Sequence, residues 1–525
     1  MTSLTREGVQ ESQLPIDEQP DSVAPDFDDS VEEGVWRYAH VDRATVIIDA
    51  ADYFAIMQAA MLNARYRILL IGWDFDTRIH LAEGRSWYER TYKDKYPKRL
   101  GSFIAWLTRH NKTLEIRILK WSFGLFKFAV RGSMWWDLVR WARHRRIDFK
   151  FDKAHPTGGS HHQKVAVLDS SLAVCGGIDM TTKRWDTREH KAHEEYRKTP
   201  RGSEYGPWHD ATMMIEGEAA EALSLLGRDR WIKAGGKPLL PIKPPAKSLW
   251  PDKLDAMFEN CEVGIARTRA AHDGWGELRE IEALFKRHIR NAKRFIYAES
   301  QYFASRVIAE AILARMQEDD PPEIVIVHPA HADGWLERQA MDYARAKLVQ
   351  CIEEADKHHR FTLWTPYSDD VPIYVHAKIM IVDDEVVRIG SANMNNRSMG
   401  LDSECDMFID ATRPGNEHCA DAIRDLRLDL LREHVGMTSD EVAELIKRHG
   451  SMAAMIDHAQ TTEGRNLRRY HPPELSDMQD RLAESGILDP DDPEDLGEPF
   501  AKGGLFREGS RLSRMRDKYR RKRSE

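Results

Sequence analysis

The chain has 525 residues, 42% of them hydrophobic, enough to bury a large core and to form more than one globular unit. Its formal net charge of -9 provides no overall field that would draw it onto a nucleic acid, so a nucleic-acid partner is not expected. Cys175, Cys261, Cys351, Cys405 and Cys419 are dispersed and form no C-x-x-C pair, which argues against a disulfide framework or a cysteine metal centre and for a reducing interior.

Residues 1–35 are polar and acidic and lack the basic start and apolar run of a signal peptide, so they are expected to be a disordered acidic tail. No apolar run reaches the roughly 20 residues of a membrane-spanning helix. A cytoplasmic protein, at most peripheral at a membrane, is expected. A first α/β half is expected over residues 36–232. It contains an amphipathic helix running into an apolar strand (NARYRILLIGWDF, from Asn63), a second strand (LEIRILKW, from Leu114) and an aromatic helix with Trp135, Trp136 and Trp141. Those three tryptophans cover more than one helical face, which predicts a core helix with partial exposure. The half continues through SHHQKVAVLDSSLAVCGGIDM, from Ser160, and GPWHDATMMIEG, from Gly206. Proline and glycine then mark residues 233–260 as a linker.

The second half, residues 261–437, repeats the first. NAKRFIYAESQYF, from Asn291, answers NARYRILLIGWDF, and PEIVIVHP, from Pro322, answers LEIRILKW. VHAKIMIVDDEVVRIGSANMN, from Val375, answers the His162 stretch at an offset of 376 - 162 = 214, which carries Lys164 to Lys378 and Asp169 to Asp383. Each half reads as helix and strand in alternation with the H-x-K element last. The expected fold is therefore two α/β/α sandwich halves packed about a pseudo-twofold axis, with the active site at their interface. Residues 438–525 are read as a helical extension and a basic tail, RLSRMRDKYRRKRSE, able to meet an anionic membrane surface.

Residues two apart on a strand share a face, so His162 and Lys164 project together, as do His376 and Lys378. Asp169 and Asp383 fall at the strand ends and are expected to anchor turns rather than do chemistry. One half has one imidazole and one ammonium; two halves have a nucleophile, a general acid and two cations for a phosphodiester's nonbridging oxygens. No metal or other cofactor is required. His155, His190 and His193 match no helix-based ligand spacing, and no metal site is expected there. Ser391 and Asn393, in GSANMNNRS, are candidate phosphate donors. Glu404 is a candidate to hold the distal nitrogen of His376. Asp186 is the first candidate to orient His162, with Glu194 or Glu195 second. Two motifs in one chain complete a site without a dimer, so a monomer is expected.

The paired motifs HHQKVAVLDSSLAVCGGIDMTTKRWD and YVHAKIMIVDDEVVRIGSANMNNRSMGLDSE resemble those of the phospholipase D superfamily, in its eukaryotic-type branch. IYAESQYF, GPWHDATMMIEG and LREHVG resemble further segments of that branch, although Ser300 stands where the family usually has asparagine. The resemblance implies metal-independent, two-step phosphodiester transfer through a phosphohistidine, with His162 as nucleophile and His376 as acid and base. The implied substrate is a glycerophospholipid and the acceptor water or another alcohol. A cardiolipin-synthase-like phosphatidyltransferase is the alternative, and a nucleic-acid phosphodiesterase a more distant one.

Overall fold

The computed structural model describes residues 33–82, 96–121, 133–332, 335–461, 463–475, 489, 511–512 and 514–515. Nearly all of the expected acidic tail and most of the basic tail lie outside the described residues. The first half contains β1 (Arg37–Ile48), β2 (Arg67–Gly72), β3 (Glu115–Trp121), β4 (Ile147–Asp152), β5 (Val165–Leu168), β6 (Leu172–Gly176), β7 (Trp208–His209) and β8 (Ala211–Glu216). The second contains β9 (Phe258–Arg269), β10 (Leu278–Arg279), β11 (Phe295–Glu299), β12 (Glu323–Val327), β13 (Phe361–Ser368), β14 (Val371–Pro372), β15 (Tyr374–Val375), β16 (Ile379–Val382), β17 (Val386–Gly390) and β18 (Glu404–Asp410). A last strand, β19 (Arg465–Arg469), follows two short helices.

The first sheet runs β4-β3-β2-β5-β6-β8-β1, and the second runs β13-β12-β11-β16-β17-β18-β9. The two orders correspond strand for strand. β2, β3 and β4 are parallel, as are β11, β12 and β13, and helices make their crossovers. Such strands are covered on both faces, which is why ILLI in β2 and IVIV in β12 are apolar throughout rather than alternating.

β1 and β9 join the sheets edge to edge, antiparallel, with His40 opposite Glu262 and Val41 opposite Cys261. The pseudo-twofold axis that relates the two sheets crosses this junction. Tyr53, Phe54, Phe103 and Trp141 form a core under the first half's outer helices, and Leu284, Phe285, Ile312 and Leu348 form its counterpart in the second. A third core belongs to both halves, with Val167, Cys175 and Met213 packed in one cluster with Ile381, Ile389 and Met407.

The expected α/β architecture is thus present, with differences of detail. Alternation in the sequence leaves out β1 and β9, which follow the acidic tail and the linker and have no motif of their own. The linker is not free chain: Leu239, Ile242, Leu249 and Trp250 are buried, Arg67 donates to the Leu240 carbonyl at 2.7 Å, and β9 already begins at Phe258. The C-terminal extension is not only helical, because β19 pairs antiparallel with β13 and lengthens the second sheet. In the aromatic helix, Trp141 is buried while Trp135 and Trp136 are 60% and 72% exposed. All five cysteines are free and buried. Among the described residues no helix is long and apolar enough to cross a membrane.

Candidate active site

The H-x-K residues do not lie within the strands. His162 and Lys164 precede β5, and His376 and Lys378 precede β16, each in extended chain. The amide of each histidine finds its partner in the opposite half. The His162 amide donates to the Ser403 carbonyl at 3.0 Å, and the His376 amide donates to the His209 carbonyl at 2.7 Å. β15, just before His376, pairs in parallel with β7 in the same way. Ser403 and His209 each precede an acid, Glu404 and Asp210, so the crossing backbones set the crossing side chains.

His162 Nδ1 lies 3.0 Å from Glu404 Oε1, and His376 Nδ1 lies 2.7 Å from Asp210 Oδ2. Two sequence expectations are corrected here. Glu404 holds His162 rather than His376. Asp186 does not orient His162; it is buried under His190, Arg197 and the Trp208 amide. Glu194 and Glu195 have no bond to His162 either. Asp210, in GPWHD, is the residue that sequence reasoning missed. Glu404 opens β18 and Asp210 directly precedes β8, so the acids are topological equivalents at an offset of 404 - 210 = 194. The first half has 20 more residues between its histidine and its acid, and the constant offset of 214 therefore lands on His190 instead.

Gly177 makes the approach of Asp210 feasible, since a Cβ there would stand 2.0 Å from Asp210 Oδ1. The glycine makes room for the orienting acid rather than for phosphate.

The lysines are held alike. Lys164 Nζ donates to the His162 carbonyl at 2.7 Å and lies 3.5 Å from Asp179 Oδ2, while Lys378 Nζ donates to the His376 carbonyl and to Gln301 Oε1 at 3.3 Å. Asp169 accepts the amides of Arg65, Tyr66 and Arg67 at 2.7–2.8 Å, and Asp383 accepts those of Lys293, Arg294 and Phe295 at 2.6–2.8 Å. Both sit at positive φ, 50° and 57°, in the hairpin turns β5–β6 and β16–β17. They tie each turn to the start of the neighbouring strand and do not face the imidazoles.

Ser391 is likewise turned to the acid: its Oγ donates to Glu404 Oε2 at 2.5 Å, and Ser398 Oγ donates to Oε1 at 2.7 Å. That corrects its expected role as a phosphate donor. Asn393 is buried and its Oδ1 has no hydrogen-bond partner. His161 points away, between Ser403 Oγ and Asp152, and burial takes its pKa down to about 4.

Burial holds both His162 and His376 well below the usual histidine value, reinforced by Lys164 and Lys378. Arg184, whose guanidinium lies 4.3 Å above the Trp208 ring, adds to the effect on His376. Burial also takes Lys378 down to about 7, offset in part by Asp210, and Glu404 up to about 8, offset in part by Lys164. With Nδ1 of each imidazole engaged, Nε2 is left for chemistry, between two ammonium groups. That is a receptor for one tetrahedral anion flanked by two nitrogen bases.

A family model described as Phospholipase D matches residues 346–485, which include His376, Lys378, Asp383 and Glu404. The chain is 23% identical to phospholipase D alpha 1 of Carica papaya, over 73% of its own length and 64% of the relative's. It is 24% identical to phospholipase D A of Dictyostelium discoideum, over 76% of its own length and 36% of the relative's.

By family model and by relatives the chain resembles the phospholipase D superfamily. Its phospholipase D fold is also that of a solved phosphatidylserine synthase from Haemophilus influenzae Rd KW20, with a TM-score of 0.50, 11% identity and coverage of 80% of this chain and 95% of that one. The chain spans less than two thirds of the length of these plant and Dictyostelium phospholipase D relatives.

Proposed function

We propose that the protein is a phospholipase D, cleaving the distal phosphodiester of a glycerophospholipid to phosphatidic acid and free headgroup. The crossed acid–imidazole pairs, His162–Glu404 and His376–Asp210, carry this reading, because they leave two Nε2 atoms facing one anion site. The names of the relatives support a phospholipid as substrate.

In the first step His162 Nε2 attacks phosphorus, the P–O bond to the headgroup breaks, and His376, as imidazolium, delivers its proton to the departing oxygen. Asp210 and the bound diester anion both stabilise that imidazolium. Lys164 and Lys378 take the charge of the nonbridging oxygens, and Glu404 accepts from Nδ1 of the phosphorylated ring. In the second step neutral His376 takes a proton from water, the hydroxyl attacks phosphorus, and the P–N bond breaks to restore His162. An alcohol in place of water yields the transphosphatidylation product by the same proton movements.

Trp135, Trp136 and Arg140 on one helix, with Arg143 just beyond its end, support contact with an anionic bilayer through indole and guanidinium groups. The test is headgroup release from phosphatidylcholine vesicles, with and without added ethanol, and from phosphatidylglycerol. Free choline with phosphatidic acid, or phosphatidylethanol when ethanol is present, is expected. Both products should be lost by at least about 10³-fold in His162→Ala and His376→Ala. Cardiolipin and glycerol from phosphatidylglycerol, with no release of choline, would instead identify a phosphatidyltransferase. Trp135→Ala with Trp136→Ala should lower turnover on anionic vesicles and leave that on a short-chain monomeric substrate unchanged; an equal loss on both removes the bilayer contact.

A further inference from the structure

Close to the His376 loop a second set of ionisable side chains converges. Asp49, His190 and His209 of the first half meet Glu433 from the helix Ala420–Val435 of the second, each offering one atom, with all four atoms within 4.8 Å of one another. All four residues are buried. His190 Nε2 lies 2.9 Å from Glu433 Oε1 and 3.3 Å from Asp49 Oδ2. His209 Nδ1 lies 3.0 Å from the same Glu433 oxygen and 3.3 Å from Asp49 Oδ1. Ligands about 2.0–2.1 Å from a tetrahedral zinc ion are separated by about 3.3 Å, so the set already has the spacing of a coordination shell.

The hydrogen bonds on the far side of each ring fix which nitrogen faces the set. His190 Nδ1 is 3.0 Å from Asp186 Oδ2, and His209 Nε2 is 2.7 Å from Glu299 Oε2. A neutral ring that donates outward to a carboxylate turns its unprotonated nitrogen inward, which is the carboxylate–histidine–metal arrangement. Asp186, expected from the sequence to serve catalysis, has this supporting place instead.

Hydrogen bonding accounts for only part of the cluster: His190 Nε2 bonds Glu433 Oε1 and the Asp210 amide donates to Asp49 Oδ1. His209 Nδ1 and Asp49 Oδ2 make no hydrogen bond although both are buried and aimed into the set. Arg188 engages Glu433 Oε2, which leaves Oε1 as the inward oxygen. Asp49 and His190 are also held at positive φ, 65° and 42°, conformations that a non-glycine residue keeps only where its surroundings impose them.

We propose that Asp49, His190, His209 and Glu433 bind one structural divalent transition-metal ion, zinc in the first instance. Metal binding requires both rings neutral and releases any proton they carry; the two imidazoles and two carboxylates then have a charge of -2, which one such ion cancels, and a nitrogen–oxygen set without sulfur suits zinc better than calcium or magnesium. The spacing of His155, His190 and His193 gave no reason to expect a site, because the fold pairs His190 with His209 and with an acid 243 residues further on. The ion would tie the first half to the helix Ala420–Val435. It would also fix His209, whose carbonyl accepts the His376 amide and whose chain neighbour is Asp210. It would not touch phosphorus.

The test uses the full chain, stripped with dipicolinate and titrated with Zn²⁺ or Co²⁺. One equivalent of Zn²⁺ should raise the thermal midpoint by several degrees, and one equivalent of Co²⁺ should give the visible absorption of a tetrahedral nitrogen–oxygen site. His190→Ala and Glu433→Gln should abolish both responses. If either variant does not fold, the cobalt spectrum and the midpoint shift of the unmodified chain decide the matter. A stripped chain whose midpoint does not respond to Zn²⁺ and which develops no cobalt band overturns the proposal, as does unchanged stoichiometry in a folded His190→Ala protein.

Discussion

The two imidazoles are held alike, each by one acid at Nδ1, and the different tasks proposed for them are measurable residue by residue. Asp210 holds His376, the proposed acid, and Glu404 holds His162, the proposed nucleophile. Asp210→Asn and Glu404→Gln should each lower kcat on a choline headgroup, by about 10²–10⁴-fold if the loss resembles that of a triad aspartate. With p-nitrophenol as leaving group, which departs without a proton, the first turnover of Asp210→Asn should recover while that of Glu404→Gln stays low. Pre-steady-state release of nitrophenolate reads this, and equal recovery in both variants would refute the assignment of nucleophile and acid. Lys378 supplies a second residue-level expectation. Burial brings its pKa from 10.5 to about 7, so its positive charge is present below that pH and is lost above it, with Lys164, Asp210, Glu404 and Arg184 as the charges around it. For the free enzyme, kcat/KM should therefore fall as pH rises through about 7. Lys378→Arg, which stays charged, should flatten that limb at reduced kcat; an unchanged limb would assign it to another group.

At the scale of the element, Asp169 and Asp383 are joints between a hairpin turn and the chain entering a neighbouring strand. Each holds three amides in a buried setting, and each is read as a support because its side chain faces backbone rather than imidazole. Asp169→Ala or Asp383→Ala should cost about 3 kcal/mol of stability by urea unfolding, with kcat of the folded fraction within a few-fold of the parent. A loss of kcat above 10²-fold at unchanged stability would make the aspartate chemical after all. The H-x-K segments differ from the expectation of plain strands for a related reason. The His162 and His376 amides are taken by the other half, and the sheet begins only after the lysine.

At the scale of the molecule, the β1–β9 junction and the core shared by both sheets make the halves one structural unit. Neither half can cover Val167, Cys175, Met213 or their counterparts Ile381, Ile389 and Met407 alone. Tryptophan fluorescence and far-UV circular dichroism should therefore report a single coincident unfolding transition; two separated transitions, one per half, would show that the junction is weak.

The sequence by itself determined the repeat, the α/β class and the two His–Lys pairs that the fold brings together, because the H-x-K pair and its apolar strand are local patterns with fixed spacing. Even the supporting role of the two aspartates was legible, from their place at the end of VAVL and IMIV. Only the tertiary structure decided which acid serves which histidine. Glu404 reaches His162 across 242 residues and Asp210 reaches His376 across 166, through backbone bonds at an interface that no local period encodes. An insertion of 20 residues was enough to misalign the first acid. β1 and β9 likewise lay beyond periodicity, since what makes them strands is the pairing of each with the other across the pseudo-twofold axis.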